Sequence, residues 1–135
     1  MAVKSQSYDH PSYIARNQEA MGECGGAATT QYAKFNAFTA MQAYNAVITV
    51  TVAGTAAGAL AYVSKISGTA TTVLGTATPT TSVAGTVLQI PLSTVPGGLS
   101  LIQGDILAFV TGADAAMKAA VTYEVSIAPV ANLTV

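Results

Sequence analysis

Charged residues are what this chain has least of. Asp, Glu, Lys and Arg make up only 8% of its 135 residues, against about 25% in an ordinary globular protein. The five cations, Lys4, Arg16, Lys34, Lys65 and Lys118, are scattered, and the net charge is −1. A nucleic-acid surface needs clustered cations to neutralise phosphates, so that class of partner is excluded. Histidine and cysteine occur once each, as His10 and Cys24, and tryptophan is absent. A single cysteine rules out an internal disulfide, so the fold must stand on packing. A zinc site wants four His or Cys ligands, and an EF-hand wants a run of oxygen ligands at fixed spacing; the sequence has neither. Gly25-Gly26 and Gly97-Gly98 open no phosphate-binding loop, because no Lys-Ser/Thr pair follows them. No metal and no cofactor is therefore expected.

Scarcity also bears on catalysis. A nucleophile needs a base beside it, and His10 and Cys24 both fall in a loose N-terminal stretch, His10 before a proline and Cys24 before Gly25-Gly26. Glycosidase chemistry needs two carboxylates on a rigid frame, and the body of the chain holds only Asp105, Asp114 and Glu124. Gly104-Asp105 and Gly112-Ala113-Asp114 have the form of turn acids, which hydrogen-bond nearby backbone. Glu124 lies in an alternating stretch that points it outward. The reading is that this is not an enzyme.

Residues 1–7 show no apolar core of a secretory signal. The most apolar stretch, 46–63, carries Thr49, Thr51, Thr55 and two glycines and alternates with period two, which reads as strand and not as a spanning helix. No membrane association and production in the cytoplasm are expected, and Asn132-Leu133-Thr134 is then a chance sequon.

What the chain does have is apolar mass. Hydrophobic residues reach 51%, enough for the core of one domain. The polar surface must come from Thr, Ser, Gln and Asn. A soluble monomer ordinarily intersperses charge over roughly a quarter to a third of its surface, and charge depletion is a mark of interface cores. Much of this surface is expected to be covered in use, by neighbouring copies or by a host lattice, which predicts a homo-oligomer.

The texture changes near Asn45. Six of the eleven charges and four of the six tyrosines precede it. Residues 1–31 read as a polar arm outside the core, with Tyr8, Tyr13, Ile14 and Met21 spaced as partner-binding anchors. Pro11 and Gly22 frame a short helix over 12–21. Between 32 and 44, Tyr32, Phe35, Phe38, Met41 and Tyr44 recur at near-helical spacing, yet 31–39 also fits an opening strand, which is the reading taken. From there 32–135 reads as one domain. The run 47–52 alternates, putting Ile48, Val50 and Val52 on one face and Thr49 and Thr51 on the other. Further strands are expected over 59–66, 69–74, 86–92, 99–102, 106–111 and 119–127, punctuated by glycines and by a Pro96-Gly97-Gly98 turn. Many short strands with no crossover helices predict an all-β fold, a single β-sandwich or jelly-roll-like domain.

Three stretches carry a resemblance. They are Tyr32-Ala33-Lys34-Phe35-Asn36-Ala37-Phe38-Thr39-Ala40 leading into Val47–Val52; Gly85-Thr86-Val87-Leu88-Gln89-Ile90-Pro91-Leu92; and Leu101-Ile102-Gln103-Gly104-Asp105-Ile106-Leu107-Ala108-Phe109, followed by 121–129. Together the chain resembles the small decoration, or cement, proteins of tailed-bacteriophage capsids. That resemblance implies a structural virion protein on the capsid surface, a jelly-roll-like subunit, often a homotrimer, clamped across joints between copies of the major capsid protein. The N-terminal arm would then reach a neighbour. Two other readings stay open: a trimeric domain of a phage tail or fibre, and a carbohydrate-binding β-sandwich module. The second is opposed by the missing tryptophan and by aromatics that concentrate before Asn45.

Overall fold

The Val/Thr alternation at 47–52 belongs to the longest strand of the chain. In a computed structural model, residues 17–79, 82–92 and 99–127 are described. They form β1 (Asn17–Gly25), β2 (Gln31–Asn36), β3 (Met41–Val52), β4 (Ala61–Ser67), β5 (Ala70–Ala77), β6 (Val87–Pro91), β7 (Leu99–Leu101), β8 (Ile106–Val110) and β9 (Lys118–Ile127). No helix occurs among the described residues. The six strands expected between 59 and 127 all form, within a few residues of the expected bounds. The Pro96-Gly97-Gly98 turn lies outside the described residues.

The strands make two antiparallel sheets. One runs β1-β9-β3-β6, with β7 also bonded to β3; the other runs β2-β8-β4-β5. The pairings β1 with β9, β2 with β8, β3 with β6 and β4 with β5 are nested, outermost strands with outermost and innermost with innermost. The β9–β3 and β8–β4 ladders then join these pairs into the two sheets. The expected all-β sandwich is the architecture observed.

Alternation sends one face of each sheet inward. Met41, Ala43, Ala46 and Ile48 of β3 and Ala119, Val121, Tyr123 and Val125 of β9 meet Ala61 and Val63 of β4 and Leu107 and Phe109 of β8 in one buried cluster. Each fully buried Ile, Leu, Val or Phe there contributes about 1.5–3 kcal/mol. At two places a register shift breaks the alternation. Tyr32 and Phe35 pair with Phe109 and Leu107, so three steps on β2 match two on β8, and a bulge turns both aromatics toward the core. The spacing of three that resembled a helix is therefore a bulged strand. Another shift, between Val50 and Val52, leaves Ile48 and Val50 buried while Val52 is exposed. Val52 thus leaves the face expected for it.

The N-terminal boundary needs correcting. Residues 17–25 are not arm and 17–21 are not helix: they form β1, paired with β9 from Asn17↔Val125 to Gly25↔Lys118. Cys24 is in the core cluster and Met21 packs against it. A shift between Met21 and Glu23 lets both side chains face inward although three positions separate them. β1 supplies an edge strand that the long β9 needs on its outer side. Residues 1–16, the remainder of the expected arm, lie outside the described residues.

Two hydroxyls in the sandwich have no hydrogen-bond partner, those of Tyr123 and Ser64, and both residues are fully buried. An unmatched buried hydroxyl costs about 1–3 kcal/mol. Burial, with Cys24 nearby, pushes ionisation of Tyr123 far above the ordinary range. Tyr123→Phe keeps the ring and deletes the unmatched oxygen. It should raise stability by about 1 kcal/mol, read as a later midpoint in urea unfolding; an earlier midpoint would show that the hydroxyl is matched.

Candidate interaction surfaces

Four connections gather at one end of the sandwich: 26–30 between β1 and β2, 53–60 between β3 and β4, 78–86 between β5 and β6, and 111–117 between β8 and β9. Their sequences are Gly, Ala and Thr with little else, and the single acid or base among them is Asp114. That carboxylate is 2% exposed. Its Oδ1 accepts from the backbone N–H groups of Ala116 (2.8 Å) and Met117 (3.2 Å), and its Oδ2 from those of Thr55 (3.0 Å) and Ala56 (3.2 Å). One side chain so fixes its own loop and staples it to the 53–60 loop. Gly54 permits this approach, since a Cβ there would collide with the carboxylate. Gly112 has φ near +62° and lies against the Leu60 carbonyl, where a Cβ would again collide. Thr29 N–H donates to the Gly112 carbonyl (2.6 Å), Gly26 N–H to Met117 (3.1 Å) and the Thr111 hydroxyl to Ala27 (3.3 Å). Hydrogen bonds tie three of these loops together, and their described residues are small and carry no exposed acid or base; the Lys118–Glu23 pair flanks them.

Asp105 does the corresponding work at the opposite end. Its Oδ2 accepts from Ile102 N–H (3.0 Å) and pairs with Lys65 Nζ (3.2 Å), while its backbone carbonyl accepts from Ala37 N–H (2.8 Å). Lys65 also donates to the Ser100 carbonyl (3.3 Å). Phe38, Ile102 and Ile127 are exposed around this end, which the ladders place together: Met41 pairs with Leu101 on one side and Ile127 on the other. Both acids behave as the turn acids their sequence context suggests. Burial disfavours their charge, yet the donors outweigh it: Ala116, Ala56, Met117 and Thr55 for Asp114, and Ile102, Ser67 and Lys65 for Asp105. Both carboxyls are held below the ordinary range.

The other candidate residues separate. Glu124 is half-buried on the outward face of β9, opposite Asn45. Cys24 is a buried thiol that donates to the Gly22 carbonyl (3.1 Å), and burial, with Glu23 adjacent, pushes its ionisation up. A thiol held protonated is a poor nucleophile. His10 and the arm anchors Tyr8, Tyr13 and Ile14 lie outside the described residues. Met21 is no arm anchor, because it packs on the core. Among the described residues no three His, Cys, Asp or Glu side chains gather where they could hold a metal ion, and no helix is long and apolar enough to cross a membrane.

The arrangement of charge is the surface property that composition alone does not reveal. From residue 35 to residue 104 the only acid or base is Lys65, and Asp105 holds it. Lys118 and Glu23 face each other at 3.8 Å. No family model, curated protein or solved structure matches the chain.

The two clamped carboxylates predict an acid-labile fold. Their folded pKa values lie below the unfolded one of about 3.9, so the stability they contribute is complete above that value and is lost as pH falls through the folded values. Asp114→Ala should cost about 3 kcal/mol near neutrality, since four N–H groups lose their acceptor. It should also flatten the decline in melting temperature below pH of about 4. An unchanged neutral melting temperature would contradict the staple.

Proposed function

We propose that this protein is a non-catalytic structural component of a virion that binds the outer surface of an assembled phage capsid and bridges its major capsid proteins. The observation that carries the reading is the spread of acids and bases: they are either paired with each other, saturated by backbone donors, or few and far apart. What remains outside is sheet and loop surface with few charges, rich in small and β-branched residues. Such surface loses little by desolvation and suits dry contact with another protein. The nested strand pairings and the two sheet orders support the jelly-roll form of the sandwich, with β7 as an additional strand. The saturated carboxylates and the buried thiol support a non-catalytic role.

A decoration protein stabilises a shell by binding the assembled lattice and not its dissociated subunits, and repetition over a closed shell adds avidity. Production in the host cytoplasm and residence on the capsid belong to the same reading, as does the homotrimer implied by the resemblance. Residues 1–16, with Tyr8, Tyr13 and Ile14, serve as the arm that reaches a neighbour.

Co-sedimentation with bare capsids and with dissociated capsid subunits tests the proposal. The chain should pellet with intact shells and raise their melting temperature, while leaving free subunits unbound. No association with shells contradicts it, and association with tails instead transfers the role to the tail or fibre. Deletion of residues 1–16 should weaken shell binding at least tenfold, or about 1.4 kcal/mol, and leave the melting of the sandwich unchanged. Binding as tight as before would remove the arm from the account.

A further inference from the structure

A sandwich of two open sheets has four edges, and three of them here are guarded. β1 carries Glu19 and Glu23 and a register shift between Met21 and Glu23. β2 carries Lys34, a bulge, and Ala33 at a positive φ of 51°. β6 is five residues long, ends in Pro91, and has β7 bonded to the same side of β3 further along. Charge, irregularity, proline and shortness are the devices that keep an edge from pairing with another chain.

β5 has almost none of them. It runs eight residues, Ala70–Ala77, with no acid, base or proline, and its one irregularity lies at Leu74, where Val63/Ser64 of β4 match Gly75/Val73. Its first four residues are exposed, in register with Ser67 to Ser64 of β4 on one side, and among the described residues no strand is hydrogen-bonded to them on the other. Thr, Val and Leu give it strong strand propensity. The apolar side chains nearest in sequence are exposed too: Val73 on β5 (52%), Val83 in the connection that follows (71%) and Val87 on β6 (58%). β5 and β6 meet where the two sheets close on that side, so these valines and the free edge belong to one flank.

We propose that the β5 edge pairs antiparallel with the β5 edge of a second copy of this chain, joining two four-stranded sheets into one across a two-fold axis. The occupant follows from the edges the chain itself can offer. Set against β1, the β5 ladder would strip water from Glu19 and from the Glu23–Lys118 pair while bringing no cation of its own. Against β2 it would meet a bulge and Lys34, and against β6 a short strand stopped by proline. Against another β5 it meets an uncharged, extended strand whose free N–H and C=O groups are complementary to its own. An isologous contact of this kind closes after two copies, which converts an aggregation-prone edge into a finite one. Any three-fold association then uses a different surface. This inference rests on the sheet edges and not on the capsid reading.

Sedimentation equilibrium of the full chain, with hydrogen exchange at low and high protein concentration, tests it. The chain should form a dimer, and the amides of Ala70–Val73 should exchange more slowly as concentration rises. Val73→Lys and Thr71→Lys, both at exposed positions, should each weaken the dimer at least tenfold by placing cations on facing strands, without moving the melting temperature at dilutions where the chain is monomeric. Ala57→Lys, in the loop cluster at the end of the sandwich, should leave the dimer intact. A monomer at high micromolar concentration overturns the proposal, as does a dimer or trimer indifferent to both lysines. So does a chain that stays monomeric while its β5 amides are protected by an extended segment of another protein. Shell binding is read separately, so failure here leaves the capsid proposal standing or falling on its own test.

Discussion

The ladder between β3 and β9 holds the rest of the molecule together. It runs from Met41↔Ile127 to Val52↔Lys118, closing a loop of more than half the chain, and every other strand of that sheet hangs on one of these two. β9 carries β1 on its free side, and β3 carries β6 and β7. The inward faces of the same two strands, from Met41 to Ile48 and from Ala119 to Val125, form the floor on which β4 and β8 pack. Because its contacts are so distant in sequence, the ordering cost must be met before the contacts reward it. What makes the ladder worth closing is the dense burial on its inner face.

A sheet sandwich with so little charge then has two difficulties, and the structure handles them differently. Loops without acids or bases must still satisfy their backbone groups. Asp114 and Asp105 solve this from inside: the buried Asp114 carboxylate accepts from four backbone N–H groups, and that of Asp105 accepts from Ile102 N–H while pairing with Lys65. Two of the few charges thus organise the two ends from inside. The outer faces are mostly Thr, Ala, Gln and Val, with Glu124 and a few edge charges among them, so charge does little to select a partner. A surface of this kind discriminates by shape and by backbone hydrogen bonding, which fits repeated contact with an ordered lattice better than capture of a charged ligand.

Most of the sandwich is legible in the sequence because its strands from β4 to β9 are short runs rich in Val, Ile, Leu and Thr, set off by glycine- and proline-containing turns. Asp105 and Asp114 are legible as well, since a short acid after glycine is a turn signal with a mechanism. The failures share one cause. At Met21/Glu23, Tyr32/Phe35 and Val50/Val52 an extra residue breaks the period of two, so β1 reads as polar arm, the aromatics of β2 take a helical spacing, and Val52 is assigned to the buried face. Nothing local in Asn-Gln-Glu-Ala-Met-Gly-Glu-Cys-Gly announces a strand; β1 exists because β9 offers ten residues of edge beside it. The unguarded edge at β5 could be seen only once the sheet order was known, although the uncharged stretch that contains it was in plain view.

Under the proposed function this protein associates with other proteins through surface that carries little charge. The most direct measurement is the affinity for bare capsids from about 0.05 M to 1 M salt, over which screening shortens from well beyond a side chain's reach to about 3 Å. Association through uncharged, desolvated faces predicts an affinity that holds steady or tightens across that range. A progressive loss of about tenfold or more with each step in salt would show that ion pairs carry the contact, and would contradict the account.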